Sequence, residues 1–179
     1  MQILSYAFSI IGLICMILAS ILKNAGMKTI LALVCFANAI VATGYLLAGS
    51  GINGAATLYL GAAQTFINYF FERKNKPLPA WLLVCYAVSI IAVNLWVGGL
   101  TWLGVLVIIA SLTFIMCIIQ KSGAKYRFWT IVNMVLWCTY DVLSKSYNGL
   151  LTHIPLLVFT VAGMLLYDRK NTQKNEENP

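Results

Sequence analysis

Apolar runs of about twenty residues alternate with short polar breaks along the whole chain. The runs cover 3–22, 29–48, 53–71, 80–97, 100–120, 127–144 and 149–167. A helix rises 1.5 Å per residue, so about 20 apolar residues cross a hydrocarbon layer roughly 30 Å thick. The breaks KNAGMK, GSGIN, ERKNKPLP, VGGL, KSGAKYR and SKSYN leave no room for a soluble domain. The pattern therefore predicts an all-α membrane protein with seven transmembrane helices. The terminal DRKNTQKNEENP is polar and reads as a short disordered tail. The first run lacks a basic leader and continues to Leu22, so it is expected to span rather than to be cleaved.

Within the apolar runs lie two polar stripes. Tyr126, Thr130, Asn133, Trp137, Tyr140 and Ser144 recur at spacings of 4 and 3, as do Gly54, Thr57, Gly61, Gln64 and Asn68. Such spacing fills one helix face. An unpaired amide in hydrocarbon is costly, so both faces are expected to point away from lipid. Gly54, Thr57 and Gly61 read as helix-packing residues. Asn38, Gln64 and Trp137 fall near mid-depth, with Asn68 and Asn133 nearer the basic end of their spans. A cluster of amides and an indole at that depth could bond and stack a small polar ring. Asn38, Gln64, Asn68, Asn133, Trp137 and Tyr140 are therefore the candidate solute-binding residues.

Composition agrees with the spans. The 179 residues are 61% hydrophobic and 9% charged, against about 25% charged in soluble domains. The net charge of +7 comes from basic residues that punctuate the spans, so nucleic acid is not the expected partner. Eleven of the twelve basic residues follow spans 1, 3, 5 and 7, and only Lys145 follows an even-numbered span. The positive-inside rule makes the basic side cytoplasmic, with the N-terminus out and the C-terminus in. The five cysteines, Cys15, Cys35, Cys85, Cys117 and Cys138, lie in apolar runs without metal-ligand spacing and read as small packing residues.

The chain also repeats itself. At an offset of 95 residues, Asn38 meets Asn133, Tyr45 meets Tyr140, Asn53-Gly54 meets Asn148-Gly149, and Thr57 meets Thr152. KNAGMK resembles KSGAK, and FERK resembles YDRK. Spans 1–3 thus correspond to spans 5–7 in the same orientation, with span 4 as the helix between them. The expected units are residues 1–75, a linker helix at 76–99, residues 100–168, and a tail at 169–179. Parallel repeats about an axis along the membrane normal are a feature of transporters, with the solute site between the halves.

This 3+1+3 arrangement resembles the SWEET, PQ-loop and PnuC transporter superfamily. In size, short loops and Asn-Gly hairpins the chain resembles the YgjV-type bacterial inner membrane proteins, over residues 1 to about 170. The Pro-Gln pair of the PQ-loop proteins is absent, as are prolines in spans 1, 2, 5 and 6. The resemblance implies a multi-pass protein of the bacterial inner membrane that carries a small solute. It names no substrate.

One carboxylate stands inside an apolar span. Asp141 lies about a turn below the outer surface, with Lys145 four residues on and His153 about a turn into span 7, just before Pro155. Two readings stay open. In one, Asp141 and Lys145 form an ion pair that reaches the interface, with His153 a packing residue. In the other, Asp141, His153 and Lys145 form an outer gate or proton-linked group, because intramembrane ionisable residues are functional candidates and histidine titrates near neutral pH. Leu46 and Leu58 occupy the equivalent positions of the first repeat, so the fold alone demands neither charge.

No set of nucleophile and base, paired acids or metal ligands is recognisable, so an intramembrane enzyme is not expected and neither is a cofactor. The absence of a Walker motif argues against ATP-driven pumping by this chain. The expected partners are the lipid bilayer and a small-molecule solute. A homo-oligomer and a receptor or assembly subunit without transport both stay open.

Overall fold

The structure, a computed structural model, describes residues 2–22, 25–48, 52–145 and 147–168. The expected tail at 169–179, the first basic residue Lys23, and the side chains of Asn53 and Asn148 lie outside that description. The described residues form seven α-helices and no strand: α1 (Gln2–Ile21), α2 (Met27–Ala48), α3 (Ile52–Arg73), α4 (Ala80–Gly98), α5 (Trp102–Ile118), α6 (Gly123–Ser144) and α7 (Tyr147–Gly163). A π-helical turn at Met164–Asp168 ends α7.

Helix boundaries follow local chemistry. Thr101 caps α5 by accepting the Gly104 N–H at 3.0 Å, and Ser122 caps α6 by accepting the Lys125 N–H at 3.4 Å. The Ser122 cap starts α6 at Gly123, so most of KSGAKYR, expected to be a connection, is helix. Arg127 consequently lies inside the bundle, 5% exposed, donating to the Ser20 carbonyl at 3.4 Å. It is a buried packing residue as well as a basic one. Glu72, read as a loop residue, lies in the last turn of α3 and pairs with Lys121 at 2.7 Å. Pro155 sits two turns into α7 rather than at its start.

Four segments are long and apolar enough to cross a membrane: Ile3–Ile21, Met27–Leu47, Ala80–Gly98 and Gly149–Tyr167. Trp102–Ile118 is apolar but shorter. The 22-residue helices α3 and α6, as long as α2, fall outside this class because they carry the polar stripes.

Packing follows chain order, and two contacts close the bundle. α1 packs on α2, α2 on α3, α5 on α6 and α6 on α7; α1 also meets α7, and α3 meets α5. α4 lies against both α3 and α5. Small residues let α1 and α2 approach: a methyl group on Gly12 would overlap the Val41 side chain, and Ser5 Oγ donates to the Gly44 carbonyl at 2.8 Å. The tightest apolar cluster lies at the basic end. It draws Met27, Ile30, Leu31 and Val34 from α2, Ile115 and Ile118 from α5, Leu82 and Tyr86 from α4, and Tyr126 from α6.

α4 is bound by a polar ladder. Thr57 Oγ1 donates to Asn94 Oδ1 at 3.1 Å, and Gln64 Nε2 donates to the Tyr86 carbonyl and Ser89 Oγ, each at 3.3 Å. Tyr86 Oη donates to Asn68 Oδ1 at 3.0 Å, while Asn68 Nδ2 donates to the Ile118 carbonyl at 3.1 Å. Asn68 thereby ties α3, α4 and α5 together. Asn68→Leu removes both bonds, and the expected loss is about 1–2 kcal/mol of stability. Thermal unfolding in detergent, wild type against variant, checks this.

Candidate functional site

A cavity of about 100 Å³ lies between the helices. That is room for several waters or a small solute, since one water-sized probe occupies about 10–15 Å³ on this measure. α2 contributes Asn38, Val41 and Tyr45; α3 contributes Gly54, Thr57, Leu58, Gly61 and Gln64. α5 contributes Ser111 and Phe114, α6 contributes Tyr126, Thr130, Asn133, Met134 and Trp137, and α7 contributes Thr152, His153 and Leu156. Each stripe faces this space over most of its length, as its helical spacing requires.

Five pairs of lining residues stand 95 positions apart: Met16 and Ser111, Asn38 and Asn133, Thr57 and Thr152, Leu58 and His153, Gly61 and Leu156. The two halves of the chain thus present matching helix faces to one cavity.

Four of the six expected solute-binding residues are on the wall: Asn38, Gln64, Asn133 and Trp137. Two are not. Asn68 is engaged in the α3–α4–α5 ladder, because the stripe drifts round α3 toward its C-terminal end. Tyr140 packs edge-to-face on Trp137, with centroids 5.7 Å apart, and does not line the cavity. Gly54, Thr57 and Gly61, read as packing residues, line it, and Thr57 combines both roles through its bond to Asn94.

The wall amides are almost fully buried, with Gln64 and Asn133 each 2% exposed and Asn38 3% exposed. Asn133 Nδ2 donates to the Ala110 carbonyl at 2.5 Å and to Thr113 Oγ1 at 2.8 Å. The Ala110 carbonyl can only accept, which fixes the amide orientation and leaves Asn133 Oδ1 over. Gln64 is fixed in the same way by the Tyr86 carbonyl, and its Oε1 has no partner among the described residues. Ser111 Oγ, also buried on the wall, has none either. Asn38 makes no hydrogen bond among the described residues. Buried polar atoms are normally satisfied, so such a cluster around one cavity points to an occupant.

Sequence reading missed Ser111. It is a lone hydroxyl in the most apolar helix, and its only flag was its place 95 residues after Met16.

Asp141 and His153 meet. Asp141 Oδ2 and His153 Nδ1 are 2.6 Å apart, and Asp141 is 2% exposed. The imidazole stacks on Trp137, with centroids 5.5 Å apart and planes 27° from parallel. A carboxylate accepts, so Nδ1 bears the hydrogen and Nε2 is the ring nitrogen left over. Asp141 is behind the wall and His153 is on it. Lys145 does not complete the group. It is the exposed left-handed C-cap of α6 (φ 56°) and makes no ion pair with Asp141, because the chain turns away at the cap. The Asp141–Lys145 pairing expected from the spacing is thus replaced by Asp141–His153.

Glycine makes the pairing sterically feasible. The Asp141 carboxylate lies over Gly149, where an added methyl group would overlap it. At the equivalent Gly54, a methyl would meet the Tyr45 ring at 3.5 Å, an ordinary contact. Gly149→Ala is therefore expected to cost about 1–3 kcal/mol by overpacking. Gly54→Ala should cost under about 1 kcal/mol or stabilise, since alanine is the better helix former. Thermal unfolding of the two variants in one detergent makes the comparison.

No curated protein and no solved structure matches the chain. A family model described as bacterial inner membrane protein matches residues 3–171, nearly its full length. The apolar helices suit that location, and the chain belongs to the YgjV family of bacterial inner membrane proteins.

Proposed function

We propose that the protein is a carrier or facilitator for a small polar solute, which binds in the cavity between two parallel three-helix units. One observation carries the reading: the buried Gln64 Oε1 and Ser111 Oγ have no partner among the described residues, and both residues line one cavity in a membrane-embedded bundle. Polar groups withheld from lipid and from one another are what a solute site at the midplane needs.

The repeat supports the same reading. α1 against α7 corresponds to α5 against α3, as a two-fold axis along the membrane normal would require. All seven helices then span, with α3 and α6 turning their polar stripes inward. The basic ends lie in the cytoplasm, the N-terminus is outside and the C-terminus is inside. Asn38, Gln64, Asn133 and Trp137 bind the solute. The Asp141–His153 pair closes the outer side, and the apolar cluster around Ile30, Leu31 and Ile118 closes the inner side.

Uptake into proteoliposomes from a panel of labelled sugars, nucleosides, vitamins and amines tests this. Asn133→Leu and Trp137→Ala are each expected to weaken uptake at least tenfold, the effect of about 1.4 kcal/mol of lost binding. Normal uptake in both variants would place the site elsewhere.

A further inference from the structure

Apart from the amide of Asn38, which offers both donors and an acceptor, the polar atoms left over in the cavity can accept. Gln64 Oε1 and Asn133 Oδ1 can only accept, because their amide nitrogens are committed to neighbouring helices. Ser111 Oγ can accept as well as donate. His153, with Nδ1–H held by Asp141, offers the Nε2 lone pair when neutral. Behind it stands a buried carboxylate. No Lys or Arg lines the cavity, so an anion would find no charged partner there. Phe114, Tyr126 and Trp137 also line the cavity, and aromatic rings attract cations over their faces.

We propose that the solute is a small organic cation with N–H donors, of the size and kind of a primary alkylammonium. This rests on the carrier reading and names its substrate class. The ammonium N–H groups are directed to Gln64 Oε1, Asn133 Oδ1 and His153 Nε2, and the Asp141 carboxylate balances the charge. A proton on Nε2 and a solute N–H need the same lone pair, so proton and solute exclude each other. Binding the cation displaces that proton, and the net charge of the loaded and empty sites is the same. The carrier thereby becomes a proton–cation exchanger.

The other titratable groups about the dyad are Tyr45 on α2 and Cys138 and Tyr140 on α6, each electrostatically coupled to Asp141. Lys145 is exposed at the end of α6. None of these donates a hydrogen bond to Asp141, whose side-chain partner among the described residues is His153.

Calorimetry on the purified full chain, with propylammonium, propanol and propionate as probes, tests the proposal. Propylammonium is expected to bind, and propanol and propionate at least tenfold more weakly. On the acidic side, the propylammonium affinity should rise about tenfold per pH unit, the slope for displacement of one proton. This wild-type slope requires no variant to fold. His153→Gln should flatten it, and Asp141→Asn should weaken binding at least tenfold. Propionate or propanol binding as tightly as propylammonium would overturn the proposal, as would a pH-independent wild-type affinity. Transport of a neutral solute without propylammonium binding would also overturn it and leave the carrier reading standing. Propylammonium binding with the expected slope, but no flux of any solute, would uphold the cation site and remove the carrier reading.

Discussion

Hydrocarbon offers no hydrogen bonds, so every polar side chain on these helices must be satisfied by its own backbone, by another helix or by the space between them. That constraint orders the whole bundle. Tyr86 bonds Asn68 and Gln64, and Asn94 accepts from Thr57, and these bonds fasten α4 to α3. Asn133 fastens α6 to α5. Once these bonds are made, the oxygens that remain have nowhere to point but inward. The cavity's chemistry is thus partly a by-product of helix assembly: the backbone carbonyls of α4 and α5 consume the donors and leave acceptors behind.

The two ends of the bundle are built on different principles. At the basic end, branched aliphatic side chains from α2 and α5 interlock with Tyr86 and Tyr126, and nothing there titrates near neutral pH. At the other end lies a carboxylate–imidazole contact backed by an indole. An apolar seal responds to packing, whereas an ionic one responds to charge and proton supply. On the carrier reading proposed above, a solute arriving from the second side meets a group it can influence chemically, and one arriving from the basic side parts a hydrophobic cluster.

Much of this was legible in the residues alone. The stripe on α6 put Asn133 and Trp137 inward because a spacing of 3 and 4 can do nothing else on a helix. The approach of Asp141 to His153 followed from a hairpin too short to offset their depths. What could not be read was competition for partners. Asn68 and Gln64 share a stripe, but only the structure shows that both bonds of Asn68 are spent and that Gln64 Oε1 is not. Lys145 has the right spacing from Asp141 for an ion pair, yet the cap turns the chain into the left-handed region there. Ser111 was invisible because a lone hydroxyl in an apolar helix normally bonds its own backbone.

Pro155 gives α7 a mechanical character the other helices lack. Proline has no N–H, so the carbonyl four residues earlier, at Leu151, loses its intrahelical partner. Bending the helix at that turn therefore works against one hydrogen bond fewer than elsewhere. His153 sits on this compliant turn, between Leu151 and the proline, while the far end of α7 loosens into a π-helical turn. The middle of the helix is pinned to α1 by the Thr160–Ser20 bond at 3.1 Å. α7 is in effect a lever with a fixed fulcrum, and the imidazole rides on its soft arm. A tilt there would part His153 from Asp141 and from the Trp137 ring it stacks on.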